Sequence, residues 1–318
     1  MAANIVVVGG INIDLVTRAA RIPRPGETVI GGDLDTVPGG KGANQAVAAA
    51  RLGSDVSMIG RLGDDVFASQ LRENLAAAGI NLDHVCESAD TASGVALIVV
   101  DEAGENSIVV AQGANAKTTA ADVEAATDAI ITSDALLLQL EIRLEPVQRA
   151  AELAHEHGVT VILNPAPAKS LPAELLGLVD ILIPNESETA QLSGMPTGNQ
   201  AEIKAAAAKL RALGVGTVIL TLGERGALLA EADGMTHFPA FVVDRVVDTT
   251  AAGDAFVAGL AVAIAEGKRL KDAVPWANAT GALAVTRAGA QPSLPVRQEV
   301  EVLLSRATKD QLLGARQD

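Results

Sequence analysis

The stretch ALLLQLEIRLEPVQRAAELAHEHGVTVIL, residues 135–163, decides the fold class. It opens on an apolar run at 135–140, passes through a helical pattern over 146–157 and ends on a second apolar run at 159–163. Short apolar runs of this kind read as strands buried on both faces, and the intervening period of about 3.6 reads as a helix packed against them. Working outward, the same alternation recurs. Upstream lie a strand at Ile5–Val8 ending at Gly9-Gly10, a helix over 42–52, a strand over 56–60, a helix over 66–78 stopped by Gly79, and a helix over 119–130. Downstream lie strands at 181–184 and 217–221, a helix over 200–213, a hairpin near 226–240, and helices near 252–266, 270–286 and 296–306. Repeated strand–helix units predict a mostly parallel central sheet covered by helices on both faces, a three-layer α/β sandwich.

Two segments depart from this pattern. Residues 16–38 are rich in Pro, Gly and Thr and read as extended and irregular. Residues 94–100 and 106–111 flank the turn Asp101-Glu102-Ala103-Gly104-Glu105, a hairpin signal. The first of these strands is apolar on both faces: Val95, Leu97 and Val99 on one, Ala96, Ile98 and Val100 on the other. The expectation is one domain over residues 1–318, with lid strands inserted at about 16–38 and 94–111.

Acidic residues outnumber basic ones 39 to 24, for a net charge of −15. That field repels nucleic acid and anionic membranes, so neither is expected as a partner. It also means that any phosphate site must be built locally, from backbone N–H groups, helix N-termini and a few cations. Cys86 is the single cysteine, which excludes an intrachain disulfide and fits the cytoplasm. The start MAANIVVVGG reads as a first strand and not as a signal peptide, and no apolar run reaches the ~20 residues of a membrane span.

Several familiar site patterns are missing. Gly40-Lys41 and Gly267-Lys268 are followed by Gly42 and Arg269, so neither completes a P-loop. No GxGxxG follows a strand, there is no HExxH or GxSxG, and His155 and His157 point to different faces of a helix.

The chemistry concentrates elsewhere. Asp248-Thr249-Thr250-Ala251-Ala252-Gly253-Asp254-Ala255-Phe256 leads an extended segment into a long apolar helix. Small residues at 251–253 let a ligand approach the backbone, and N–H groups at a helix start can surround an anion. Asp254 falls in the first helical turn, where the helix dipole favours its ionised form. A carboxylate base beside an anion hole suits phosphoryl transfer. A second loop, Gly39-Gly40-Lys41-Gly42-Ala43-Asn44, also opens a helix and offers donors from Lys41 and Asn44. A third group, Asn12-Ile13-Asp14, follows the first strand; in an extended chain Asn12 and Asp14 point the same way and can clamp a diol. Taken singly, the first also reads as a capped helix with an acidic first turn, the second as a flexible turn and the third as a polar turn.

Together they resemble the ribokinase family of sugar kinases, also called the phosphofructokinase B type, over nearly the whole chain. GGKGAN and DTTAAGDAF stand in the family's order and separation. Between them, Pro184-Asn185-Glu186-Ser187-Glu188 resembles the family's NxxE segment, and Thr221-Leu222-Gly223-Glu224-Arg225-Gly226 its nucleotide loop. The likeness is strongest to the ribose-phosphorylating branch, through residues 9–14, Leu138-Gln139-Leu140-Glu141 and Ala284–Ser293. It implies ATP-dependent phosphorylation of D-ribose at the 5-hydroxyl. Asp254 is then the base, and Ala251, Ala252 and Gly253 form the anion hole. The sugar meets Asn12, Asp14, Gly39, Gly40, Lys41, Asn44, Ala96, Ile98, Glu141 and Asp254. ATP meets Asn185, Glu188, residues 221–226, Gly253 and Asn278, which stands where some members carry His. Mg²⁺ is held indirectly through Asn185 and Glu188, and K⁺ by Asp248, Thr250, Ala284, Arg287, Gly289 and Ser293. Both apolar faces of strand 94–100 need cover: one can close over the sugar, and the other is expected to pack on the same element of a second subunit, a homodimer through the lid. Other sugar or nucleoside kinases of the family (deoxyribokinase, fructokinase, adenosine kinase) and a sugar-binding regulator on this fold stay open as alternatives.

Overall fold

Ile5 and Val7 point into one apolar cluster while Val6 and Val8 point into another. The first strand is thus buried on both faces, as a central parallel strand requires. The computed structural model describes residues 2–317. In chain order its strands are β1 (Asn4–Val8), β2 (Asn12–Arg18), β3 (Leu34–Gly39), β4 (Asp55–Leu62), β5 (Asn81–Glu87), β6 (Gly94–Val100), β7 (Asn106–Ala111), β8 (Ala135–Leu138), β9 (Thr160–Leu163), β10 (Ile181–Leu182), β11 (Thr217–Thr221), β12 (Ala227–Glu231), β13 (Gly234–Phe238) and β14 (Ala315–Gln317).

Ten strands form the main sheet, in the order β14-β13-β12-β11-β10-β9-β8-β1-β4-β5. From β11 to β5 every neighbouring pair is parallel; β12, β13 and β14 extend one edge in antiparallel fashion. Helices Lys41–Arg51, Ala252–Ala265 and Leu270–Ala284 cover one face, and Leu144–Glu156 and Gln200–Ala212 cover the other. From β1 the chain moves on to β4 on one side, and from β8 to β9 on the other. The order therefore reverses between β1 and β8, and the crevice beyond the carboxyl ends of strands at such a reversal is where open α/β sheets bind ligands.

The second sheet has the order β3-β2-β6-β7. Its register pairs Asp14 with Ala96 and Val16 with Ile98, so these four side chains share one face with Asn12. Ile13, Leu15 and Val95 lie on the opposite face, packed on the main core. Farther out that face exposes Leu97 and Val109, while Ile108 and Val110 are exposed on the Asp14 face. No helix among the described residues is long and apolar enough to cross a membrane.

Several boundaries differ from the expected ones. The first pair of lid strands occupies 12–18 and 34–39 instead of 16–38, and residues 19–33 form no strand. Pro23 and Pro25 lack the N–H a ladder needs. The triplet Asn12-Ile13-Asp14 therefore begins a lid strand. The helix expected at 119–130 is two short ones, Ala120–Glu124 and Thr127–Ile131, the first opened by a capping box between Thr119 and Asp122. The edge strand β5 was not expected, because NLDHVCE mixes polar and apolar residues as a half-exposed edge permits.

Candidate active site

The helix Lys41–Arg51 starts where two backbones nearly touch. Gly40 has φ +89°, a left-handed conformation suited to glycine, and a Cβ there would lie 2.6 Å from the Asn12 nitrogen. A Cβ on Gly39 would lie 2.3 Å from the Asp14 carboxylate, and one on Gly42 would lie 2.8 Å from the Gly10 backbone. Glycines thus bring the loop against the ends of β1 and β2. The Lys41 N–H donates to Glu141 Oε2 at 2.8 Å, tying this helix start to the residues that follow β8.

Asp254 lies buried opposite that loop. Asn44 Nδ2 donates to its Oδ2 at 2.9 Å, and Gln45 Nε2 donates to its Oδ1 at 3.0 Å. The helix Ala252–Ala265 begins after Ala251, which is held at φ +59°. The Ala252 N–H is already donated to the Thr249 carbonyl at 3.2 Å, so it is not an open donor as expected. Those of Ala251, Gly253 and Asp254 meet no backbone acceptor among the described residues. A Cβ on Gly253 would meet nothing within 4 Å, so this backbone is open to a ligand.

Asn12 and Asp14 share one face of β2; neither lines the cleft beside Gly253, but Asp14 lies near Lys41, Glu141 and Asp254. Asn12 Oδ1 accepts from Asn115 Nδ2 at 2.7 Å, and Asn115 is further fixed by the backbone of Ile11. Burial, with Glu141 and Asp254 nearby, pushes the Asp14 carboxyl up to about 7 against the partial offset of Lys41. Burial also raises Glu141, though Lys41 and its backbone N–H oppose this. Burial alone would lower Lys41, but Asp254, Glu141, Glu188 and Asp14 together hold it above its ordinary value. One ammonium thus serves four carboxylates. Ala96 is buried beside Asp14, and Ile98 is half-buried one step farther out.

The remaining expected residues divide. Asn185, Glu188 and Thr221 line the same cleft as Lys41, Gly253 and Asp254, together with Asn164, Ala166, Ile183, Thr249 and Val257. Asn185 and Glu188 form a reciprocal capping box at the start of helix Glu186–Ser193, each bonded to the other's backbone N–H at 2.8 Å. Glu188 is raised by burial. Leu222, Gly223, Glu224, Arg225 and Gly226 lie outside this lining, and Arg225 pairs with Glu186 at 2.5 Å. Asn278 is buried, with Nδ2 donating to the carbonyls of Phe238 and Pro239 at 3.3 and 3.4 Å. It holds the chain after β13 and does not reach the cleft lining.

Asp248 joins the loop before the last core helices to residues 284–293. Its Oδ1 accepts from the Thr250 N–H and its Oδ2 from the Gly289 N–H, both at 2.9 Å. Burial alone would raise its carboxyl, but these bonds and the Arg18 charge hold it below the ordinary range. The Ala284 carbonyl accepts the Arg287 N–H, the Arg287 side chain pairs with Glu299, and the Ser293 hydroxyl donates to the Ala290 carbonyl.

Residues 2–297 match the profile of the pfkB family carbohydrate kinases. The chain belongs to that family. It is 40% identical over 307 residues to a ribokinase of Haemophilus influenzae, covering 96% of this chain and 100% of that protein. It is 43% identical over 97% of its length to a bifunctional ribokinase/ribose-5-phosphate isomerase A of Fructilactobacillus sanfranciscensis, of which it spans only 57%. A deoxyribokinase of Salmonella typhi is 39% identical over 95% of the chain and 99% of that protein. The structure of Arabidopsis thaliana ribokinase complexed with ribose and ATP superposes with a TM-score of 0.88 at 37% identity, covering 96% of this chain and 99% of that one.

Within this pfkB-family site, sequence reasoning missed Gln45, Asn115, Asn164 and Thr249. Gln45 had a readable signal, since it adjoins Asn44 at the same helix start. Asn115 and Asn164 had none: one lies in the short 3-10 helix Gly113–Lys117 and the other in the loop after β9, and only the folded chain defines where they point.

Proposed function

We propose that this chain transfers the terminal phosphoryl group of ATP to the 5-hydroxyl of D-ribose, with Asp254 as the base. The observation that carries this reading is the placement of Asp254. It is buried, held by two amides, and lies beside open backbone N–H groups at the carboxyl ends of β9, β10 and β11. Its ionised carboxylate takes the hydroxyl proton as the hydroxyl attacks. The N–H groups of Ala251 and Gly253 then meet charge on the moving phosphoryl group without reorganising. Among the described residues none donates a hydrogen bond to the Asp14 carboxylate, which leaves its oxygens open to sugar hydroxyls. Lys41, Asn12, Asn44 and Glu141 complete that end.

The donor set fits cations. Four carboxylates already surround Lys41, and a triphosphate adds further negative charge. Glu188 keeps one oxygen outside its capping box, and Asn185 stands beside it; they would hold Mg²⁺ through water. An ionised Asp248 with the backbone oxygens of Thr250, Ala284, Arg287 and Gly289, and with Ser293, offers an all-oxygen setting for K⁺. These ions would supply charge neutralisation and order in the 248–254 loop.

An assay of ADP release against pentoses, hexoses and nucleosides tests the reading, run in K⁺ and in Na⁺ at fixed ionic strength. Ribose is expected to be the best substrate, with a severalfold higher rate in K⁺. Preference for fructose or adenosine overturns ribose, and no ADP release with any sugar leaves a sugar-binding regulator. Equal rates in both salts remove the K⁺ site. The deoxyribokinase relative makes 2-deoxyribose the specific rival.

We also take residues 1–318 as one kinase domain whose four-stranded sheet is the lid. Exposed Leu97 and Val109 give the face of that sheet opposite Asp14 an apolar surface. A second copy's lid suits it, and a homodimer is the expected species. Sedimentation at micromolar concentration checks this; a clean monomer removes the dimer. The single Cys86, free in the structure, agrees with a reducing cytoplasm.

A further inference from the structure

Two glutamines lie wholly buried behind the base. Gln45 and Gln139 are each 0% exposed. Packing does not call for them, since leucine would fill such sites without desolvating an amide. Their bonds form a chain. Gln139 Nε2 donates to Gln45 Oε1 at 2.6 Å, and Gln45 Nε2 donates to Asp254 Oδ1 at 3.0 Å.

The direction of this chain is forced from two sides. Asn164 Nδ2 is committed to the Ile183 carbonyl at 2.9 Å, so Asn164 turns its oxygen toward Gln45 Nε2 at 3.3 Å. Gln45 Nε2 therefore sits between two acceptors, Asn164 Oδ1 and Asp254 Oδ1. Its Oε1 must then face Gln139, which answers with its own amide hydrogens. Among the described residues, Gln139 Oε1 is left buried with no partner. The space for it exists because residue 9 is glycine; a Cβ there would lie 1.9 Å from that oxygen.

We propose that Gln139 and Gln45 form a two-amide relay that presents a fixed N–H to Asp254 and so holds it as an ionised acceptor aimed at the substrate hydroxyl. They are positioning residues, because neither lines the cleft. A protonated Asp254 has little to offer this arrangement: Asn44 and Gln45 both present donors to its two oxygens. The relay adds to charges that face Asp254 from other elements: Lys41 on the same helix as Gln45, Asp14 on β2, Glu141 after β8 and Glu188 on helix Glu186–Ser193. Those groups stay in place when the glutamines are changed.

This inference rests on Asp254 being the base, and the test separates the two. Single-turnover rates at saturating sugar and ATP are measured against pH for wild type, Gln45→Met, Gln139→Met and Asp254→Asn, with thermal midpoints recorded. Gln45→Met is expected to lower the rate about tenfold and move the acid limb upward by about one pH unit, the loss of one bond to a carboxylate. Gln139→Met, which does not touch Asp254, is expected to shift the limb the same way by less. Sugar KM should change less than kcat in both. If Asp254→Asn is inactive while both Met variants keep the wild-type limb and only their melting changes, the glutamines are packing residues and the relay is wrong. If Asp254→Asn keeps near-normal rates, the base assignment itself has failed. Should Gln45→Met not fold, Gln139→Met carries the same readout.

Discussion

Asp254→Asn is expected to lower kcat by about 10²–10⁴, the usual contribution of a positioned general base. The shape of the side chain is kept, so sugar binding should change far less than turnover. Some rearrangement is unavoidable. Asn44 and Gln45 both donate to Asp254, and the new amide must set its own donors against one of them. Paired measurement of kcat and of sugar affinity by calorimetry checks the split. Near-normal turnover in this variant would sink the assignment of the base.

Asp14→Ala should strike the sugar side instead. Wild type is expected to prefer ribose over 2-deoxyribose by at least roughly tenfold in kcat/KM, since a charged acceptor left unpaired by the missing hydroxyl costs about 1–3 kcal/mol. Removing the acceptor should damage ribose use much more than deoxyribose use and shrink that ratio. A wild type that prefers deoxyribose refutes the ribose reading. The same residue sets a pH dependence. Its carboxyl rises from the ordinary 3.8 to about 7 in the folded chain. A raised folded value gives stability that is fully present below the unfolded value, near pH 4, and is lost as pH rises through about 7. Sugar binding runs the other way, because the ionised form accepts from two hydroxyls. The acid limb of kcat/KM should therefore fall near pH 7, where Asp14 titrates. Asp14→Ala should lose that limb, and at pH 8 should melt higher than wild type while using ribose worse.

The helical and strand periods made most of the fold legible. β6, β7 and β11 lie at the expected bounds, 94–100, 106–111 and 217–221. What escaped was structure without a local period. β5 is an edge strand of mixed residues, and residues 119–131 carry enough alanine to look like one helix but form two, with the Thr127 hydroxyl donating to the Glu124 carbonyl at the break. The site shows the same division. Gly40, Lys41, Asn44 and Asp254 stand in dense local motifs. Gln45, Gln139, Asn115 and Asn164 are amides with no charge, and their meaning comes from partners up to 209 residues away. Asn278 Nδ2 donates to the backbone carbonyls of Phe238 and Pro239, partners its place in the sequence does not reveal.

Ala251, at φ +59°, marks how still the 248–254 loop must be. An L-residue in that region carries roughly 1–2 kcal/mol of strain that glycine would escape. Glycine would in turn give the unfolded chain more freedom, at a cost of about 0.4–1 kcal/mol. The two terms nearly cancel, so the alanine gives up little stability. What it alters is the width of the native ensemble. Glycine at 251 would open a second set of backbone conformations next to Gly253, whereas alanine, once forced over, has few neighbouring minima to visit. The donors proposed to meet the phosphoryl group thus point one way before the substrate arrives, and the entropy of aiming them is spent during folding instead of during each turnover.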